Sequence, residues 1–250
     1  MSVELADPKV QQALVRAAVY ETLAMGFTYP VAEGIGRLAQ VGELAMAEAG
    51  ALSPVLPELI HAAVEAIAAE DTVELASEHQ RLFSGEVLAT PYETEYETDP
   101  FAKSRQLADI AGFYKAWGVE ISEDRRNMAD FIGTQLEFMS LLCRKEANAH
   151  QNGWADRADL STQAQFAFLE SHLGRWTDLF CREVRRKTRP GPGEAYRLAT
   201  ALLESFIALE VAFMGAKPIV LRHRMIGLSD AEPMECDPKV AGPQPDVHAD

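Results

Sequence analysis

Glu58-Leu59-Ile60-His61 has the Glu-x-x-His spacing with which one helix can offer a carboxylate and an imidazole to a metal. A di-metal helical bundle needs a second such motif and two further glutamates, and no second Glu-x-x-His occurs in the chain. A di-metal oxidase or hydrolase using Glu58 and His61 therefore stands only as an alternative. Glu146 and His150 lie one turn apart, a spacing common on solvated helix faces. There is no Cys-x-x-Cys, no His-Glu-x-x-His and no Gly-x-Ser-x-Gly nucleophile elbow. Gly34-Ile35-Gly36 lacks the third glycine of a dinucleotide loop and follows no strand. Cys143 falls on an apolar helical stripe, the place of a small core residue. The expectation is a protein without catalytic residues, cofactor or metal.

The stretch most suited to binding is acidic. Residues 86–102 hold Glu86, Glu93, Glu95, Glu97 and Asp99, no Lys or Arg, Pro91 and Pro100, and the aromatics Tyr92, Tyr96 and Phe101. The prolines oppose helix across it, and Gly85 supplies a stop just before. So long a connection between two helical patterns is either functional or disordered, and three aromatics argue for order. The tyrosines either pin the loop to the core or face a ligand. His172, in Glu170-Ser171-His172-Leu173-Gly174-Arg175-Trp176, is a packed helix histidine or a ligand contact; packing is the simpler reading. Arg182, Arg185, Arg186, Lys187 and Arg189 read as a solvated helix end, where the helix dipole favours cations.

The elements that must position these groups are helical. Apolar residues recur at three- and four-residue steps over 8–27 (Ala13, Ala17, Tyr20, Ala24, Phe27), with Asp7-Pro8 as cap and first position. A weaker alanine- and glycine-rich segment covers 31–50, and Ser53-Pro54 opens a helix carrying Leu56, Ile60, Ala63 and Ile67. Asp71-Thr72-Val73-Glu74 resembles a capping box for a helix with Leu75, His79, Leu82 and Phe83. After the loop, helices are expected over 103–117 and from about Arg125 to His150, the latter with Met128, Ile132, Leu136, Met139 and Cys143 on one stripe. Two more follow, from Ser161 with Phe166, Leu169, Leu173, Trp176 and Phe180 inward, and over 194–215 after Gly191-Pro192-Gly193. No window alternates in the manner of a strand. The fold class is all-α: one helical domain of seven or more helices over 1–228, a long ordered acidic loop, and a disordered tail over 229–250, rich in Pro, Asp and Glu.

Composition narrows the partners. In 250 residues, 38 acids face 23 bases for a formal charge of -15, which disfavours nucleic acid or an anionic membrane and suits a cationic partner. No apolar stretch reaches membrane-spanning length, residues 1–12 show no cleavable signal, and three scattered cysteines fit a reducing cytoplasm.

Several motifs, in order, resemble one family. They are Gln80-Arg81-Leu82-Phe83; Pro91-Tyr92-Glu93-Thr94-Glu95-Tyr96; Ile110-Ala111-Gly112-Phe113-Tyr114 with Trp117-Gly118; Asp130; Leu136-Glu137-Phe138-Met139; and Phe168 through Trp176. Over roughly residues 10–215 the set is similar to the TorD/DmsD/NarJ redox-enzyme maturation chaperones. Its Tyr-Glu-Thr-Glu-Tyr loop looks most like the subgroup serving type II dimethyl-sulfoxide-reductase-like molybdoenzymes, such as the dimethyl sulfide, ethylbenzene, selenate and chlorate oxidoreductases. The resemblance implies a cytoplasmic, all-helical chaperone that is not an enzyme. Such a chaperone binds the apo catalytic subunit of a molybdopterin enzyme, often at its twin-arginine signal, until the cofactor is inserted, and so prevents premature export. It implies a client-binding set of Tyr92, Glu93, Glu95, Tyr96, Asp130, Glu137, Phe138, Met139, His172 and Trp176. For Leu136, Phe138 and Met139, core is as good a reading as contact. The family commonly has His after the Asp and Glu four residues later, where this chain has Phe131 and Gln135. A plain adaptor of the mature complex is a further alternative.

Overall fold

The structure is a computed structural model that describes residues 7–84, 87–97, 99–120 and 129–221. Among these, the helices are α1 (Pro8–Phe27), α2 (Ala32–Ala49), α3 (Leu56–Ala69), α4 (Thr72–Phe83), α5 (Pro100–Ala116), α6 (Ile132–Gln151), α7 (Ala155–Phe168), α8 (Gly174–Lys187) and α9 (Gly193–Met214). A wide π-turn, Leu169–Leu173, joins α7 to α8, and a short 3-10 turn, Glu93–Tyr96, lies in the acidic loop. No strand forms among the described residues; the one exception to helix and coil is an isolated antiparallel bridge between Tyr92 and Phe131. The all-α expectation holds. No described helix is long and apolar enough to cross a membrane.

Local chemistry sets the helix starts. Asp7 accepts from Lys9 N at 2.9 Å with Pro8 in the first turn of α1, and Asp71 accepts from Val73 N and Glu74 N at 2.9 and 3.2 Å. Each cap satisfies amides that have no partner within the helix, a contribution of about 1 kcal/mol. Two starts differ from the sequence reading. The helix expected from Arg125 begins at Ile132, because Asp130 and Phe131 are drawn into the bridge with the acidic loop; Arg125 and Met128 lie outside the described residues. The helix expected from Ser161 begins at Ala155, where Arg157 lies 4.4 Å over the Trp154 ring and steadies the first turn. The tail over 229–250 lies outside the described residues.

Helix α1 runs through the middle, against α6, α2 and α9. Its alanines let α6 approach closely enough for Ser140 Oγ to donate to the Ala17 carbonyl at 2.8 Å. One cation breaks this apolar surface. Arg16, 1% exposed, donates to Glu210 at 2.8 and 2.6 Å, to Gln165 at 2.7 Å and to Glu146 at 3.2 Å, while Tyr20 Oη donates to Glu210 at 2.9 Å. Four helices are thus tied through one guanidinium, whose fork fits several acceptors at once. Cys143 and Cys181 are buried, and burial pushes both thiols upward, away from the reactive thiolate. At the other end of α1, the rings of Tyr29, Phe83 and Tyr196 meet His79, with Phe27 and Phe180 packed beside Phe83, and His79 Nε2 lies 3.1 Å from the Phe27 carbonyl.

Candidate functional site

The acidic loop is held from beneath by its own residues. Glu93 N donates to the Asp130 carbonyl at 3.0 Å and Ile132 N to the Pro91 carbonyl at 2.8 Å, which makes the Tyr92–Phe131 bridge. Asp130 Oδ2 accepts from Thr94 N at 3.1 Å and Thr94 Oγ1 at 2.6 Å. Tyr96 Oη donates back to the Thr90 carbonyl at 2.8 Å, and its ring lies 5.5 Å from that of Trp176. Tyr92, half-buried, meets Phe131 at 5.7 Å; burial first and then Asp130 push its phenol upward, so it stays protonated. The tyrosines pin the loop.

Glu93 is the centre of the arrangement. Fully buried, it accepts from the side-chain amides of Gln106 on α5 and Gln135 on α6 and from His172 Nδ1 at 3.2 Å, in the π-turn. A carboxylate can only accept, so both amides must present their nitrogens to it and the histidine proton sits on Nδ1. Gln135 turns its oxygen to Trp176 Nε1 at 3.2 Å. A second carboxylate at position 135 would face Glu93 directly, so the departure from the family's usual glutamate suits this hub. Gln106 Oε1 is buried and has no hydrogen-bond partner among the described residues. His172 Nε2 lies 3.2 Å from Asp109 Oδ2, an electrostatic contact off the direction of a hydrogen bond.

Above Gln106 and His172 opens a groove of about 780 Å³, walled by α5, the π-turn and the segment 216–221 that follows α9. Its rim is rich in charge. Glu97, Asp109 and Glu170 stand with Arg105, Arg175 and Lys217 in its lining, Glu97 lying 3.7 Å from Arg175; beside it Asp99 lies 3.7 Å from Arg105 and Glu95 3.3 Å from Lys103. Ile219, 80% exposed, adds apolar surface to it. A second cleft of about 670 Å³, between α1, α2 and α6, includes Glu137 together with Met25, Tyr29, Ile35 and Leu141.

The expected binding residues thus divide. Glu93, Tyr96, Asp130, His172 and Trp176 converge under the groove as its buried support, Tyr92 braces the loop, and Glu95 stands exposed on it. Glu137 is exposed on the other cleft. Phe138 and Met139 face the core; Phe138 meets Tyr114 at 4.8 Å and Phe168 at 4.9 Å, which leaves neither any surface for a ligand. Gln106, Asp109 and Arg175 are absent from the expected set; a single polar residue on a helix gives no sequence signal of what lies across from it. Glu86 lies outside the described residues. Glu58 and His61 are exposed on α3, with His61 paired to Glu65 at 3.1 Å, and no group of three metal-ligating side chains occurs among the described residues.

Among known proteins, residues 48–182 match the family described as the nitrate reductase delta subunit. A perchlorate reductase assembly chaperone protein of Dechloromonas aromatica (strain RCB) is 28% identical over 191 residues, covering 72% of this chain and 82% of its own. A selenate reductase assembly chaperone protein of Thauera selenatis is 28% identical over 171 residues, covering 67% and 76%. A crystal structure of a proposed redox enzyme maturation protein from Archaeoglobus fulgidus aligns with a TM-score of 0.47 and 16% identity, over 77% of this chain and 91% of that one. With more than half of its length matched, the chain belongs to the nitrate reductase delta subunit family, the TorD/DmsD/NarJ redox-enzyme maturation chaperones.

Proposed function

We propose that this chaperone holds the apo catalytic subunit of a molybdopterin oxidoreductase in the cytoplasm, gripping an arginine-bearing segment of it, such as a twin-arginine signal, until the cofactor is inserted. The observation that carries the site is Gln106 Oε1, a buried acceptor left without a donor among the described residues, in a groove lined by charges of both signs. Leaving a buried acceptor unmade costs about 1–3 kcal/mol, which an incoming N–H recovers. A guanidinium delivers several N–H groups in one plane and prefers carboxylates beside them, here Glu97 and Asp109. The selenate and perchlorate reductase chaperones among its relatives support a client of that broad class.

The test is recovery of the tagged chain from its native host, with mass spectrometry of what accompanies it and a molybdenum assay. A molybdopterin-enzyme catalytic subunit poor in molybdenum is the expected partner, and Asp109→Asn with Glu97→Gln reduces its recovery. A molybdenum-loaded partner held equally by both forms overturns the reading in favour of an adaptor of the mature complex.

A further inference from the structure

We propose that Glu93 fixes the polarity of the groove floor, so that Gln106 and His172 both turn a bare acceptor to the ligand, and that this pair admits a guanidinium in preference to an ammonium. The proposal rests on the reading that the groove receives an arginine-bearing segment. Net charge does not make the choice, because Glu97, Asp109 and Glu170 in the lining are matched by Arg105, Arg175 and Lys217. The choice lies in which atoms face inward. Glu93 takes hydrogen bonds from three side chains and, as a carboxylate, has no donor to give back. Each partner must therefore turn a donor to it and present its opposite end elsewhere. For Gln135 that end is closed, since its oxygen accepts from Trp176 Nε1 at 3.2 Å. For the other two it is open. Gln106 and His172 meet the same oxygen, Glu93 Oε1, and both line the groove. With its amide nitrogen on Glu93, Gln106 holds Oε1 away from it; with its proton on Nδ1, the neutral His172 ring keeps a lone pair on Nε2. Gln106 is 8% and His172 2% exposed, and neither Oε1 nor Nε2 has a hydrogen-bond partner among the described residues.

Two buried acceptors, one amide width and one imidazole width from a common oxygen, form a pair that a single planar donor can bridge. Asp109 Oδ2 lies 3.2 Å from His172 Nε2, and the Asp109 side chain is 63% exposed. A lone pair and a carboxylate so placed repel unless an N–H comes between them, and the exposed carboxylate turns aside by a change of rotamer to let one in. A guanidinium then has N–H groups in one plane for Gln106 Oε1, His172 Nε2 and Asp109 together. An ammonium is a compact, more strongly hydrated charge, and two neutral acceptors on a buried floor return less of the water it gives up. Glu93 itself does not touch the ligand; it is a positioning residue. Glu93→Gln would bring an N–H of its own into the hub, which Gln106 meets by rotating its amide and turning its NH2 to the groove. The floor would then hold a donor beside an acceptor, and the preference for guanidinium would go.

The test uses the full chain labelled at its histidine nitrogens, whose magnetic resonance separates a protonated ring nitrogen from a bare one. Two peptide probes differ only in their cations: Ser-Arg-Arg-Ala-Phe-Leu-Ala and Ser-Lys-Lys-Ala-Phe-Leu-Ala. The expected result is a proton on His172 Nδ1, a bare Nε2 whose resonance moves with the arginine probe, and about tenfold tighter binding of that probe, the worth of one retained hydrogen bond. In Glu93→Gln the ratio of the two affinities falls to about two or less. A general loosening of the site would weaken both probes alike and keep the ratio. Should that variant fail to fold, the wild-type measurements decide alone. A protonated Nε2 in the free chain, an Nε2 resonance unmoved at saturation, or equal affinity for the two probes overturns the proposal. An arginine probe that Asp109→Asn still weakens then leaves the client reading in place. If neither peptide binds, N-acetyl-arginine amide and N-acetyl-lysine amide are titrated instead. Movement of Nε2 with the arginine compound alone keeps the proposal and removes the client reading; movement with both or with neither removes the proposal as well.

Discussion

Gln135→Glu replaces one atom group in the Glu93 hub and nearly nothing in shape. The wild-type amide donates to Glu93 and accepts from Trp176 Nε1, both within a fully buried site. Two ionised carboxylates in contact repel by about 4 kcal/mol even at an effective dielectric of about 20, before desolvation is added. The cheaper escape is for the new side chain to keep its proton. The introduced carboxyl then donates O–H to Glu93, still accepts from Trp176, and the packing survives. Holding that proton at about pH 7, against an ordinary glutamate pKa of about 4.3 in the unfolded chain, costs about 3.7 kcal/mol; at about pH 5 the cost falls to about 1 kcal/mol. The introduced group's folded-state pKa is raised, so the variant's deficit is present above the unfolded value and disappears as pH falls towards it. Urea unfolding of both proteins at pH 7 and pH 5, followed by tryptophan fluorescence, measures the difference. A deficit equal at the two pH values, or below about 1 kcal/mol at pH 7, would refute the picture of Glu93 as a charged acceptor between Gln106, Gln135 and His172.

Arg16→Met leaves Glu210 buried with Tyr20 as its remaining donor, and a loss of about 3–5 kcal/mol in urea unfolding is expected from such an orphaned charge. His79 is buried, which lowers its pKa against the partial opposing effect of the Phe27 carbonyl. The unfolded chain therefore takes up protons first, and stability falls as pH drops below about 6.5, by at most about 1.4 kcal/mol at about pH 5.5. His79→Gln flattens that limb of a stability-versus-pH curve. Gly174→Ala drives a methyl against the Leu169 carbonyl at 2.7 Å and against Pro218, so faster hydrogen exchange at the Lys217 and Leu221 amides is expected, with a stability loss of about 1–3 kcal/mol.

Much of the architecture is legible because it is periodic. The stripe Ala13, Ala17, Tyr20, Ala24, Phe27 and the caps Asp7 and Asp71 are local facts, and a helix repeats them. The π-turn is not legible, since Leu169, Leu173 and Trp176 fit an unbroken helix as well. Nor is the role of the polar residues. Arg16 interrupts an apolar stripe, which is the only sign it gives; Gln106 looks like any surface glutamine, and Gln135 stands out only as a departure from the family's usual glutamate, until Glu93 is placed between them. Tyr92 and Tyr96 leave pinning and contact open in the sequence, and the bridge to Phe131 and the hydrogen bond to Thr90 supply the anchoring. Phe138 and Met139 are open there between core and contact, and their burial places them in the core.

The Glu93 hub also has a consequence in time. Its three partners lie 13, 42 and 79 residues away along the chain, in three different elements. Each closure sacrifices the freedom of the intervening loop before any bond rewards it, so such contacts form after the local helices. Changes at Gln106 or His172 then speed unfolding and leave the folding rate nearly untouched. The groove is accordingly acquired only after the helices that wall it, and a chain that has not finished folding has no place to receive a client.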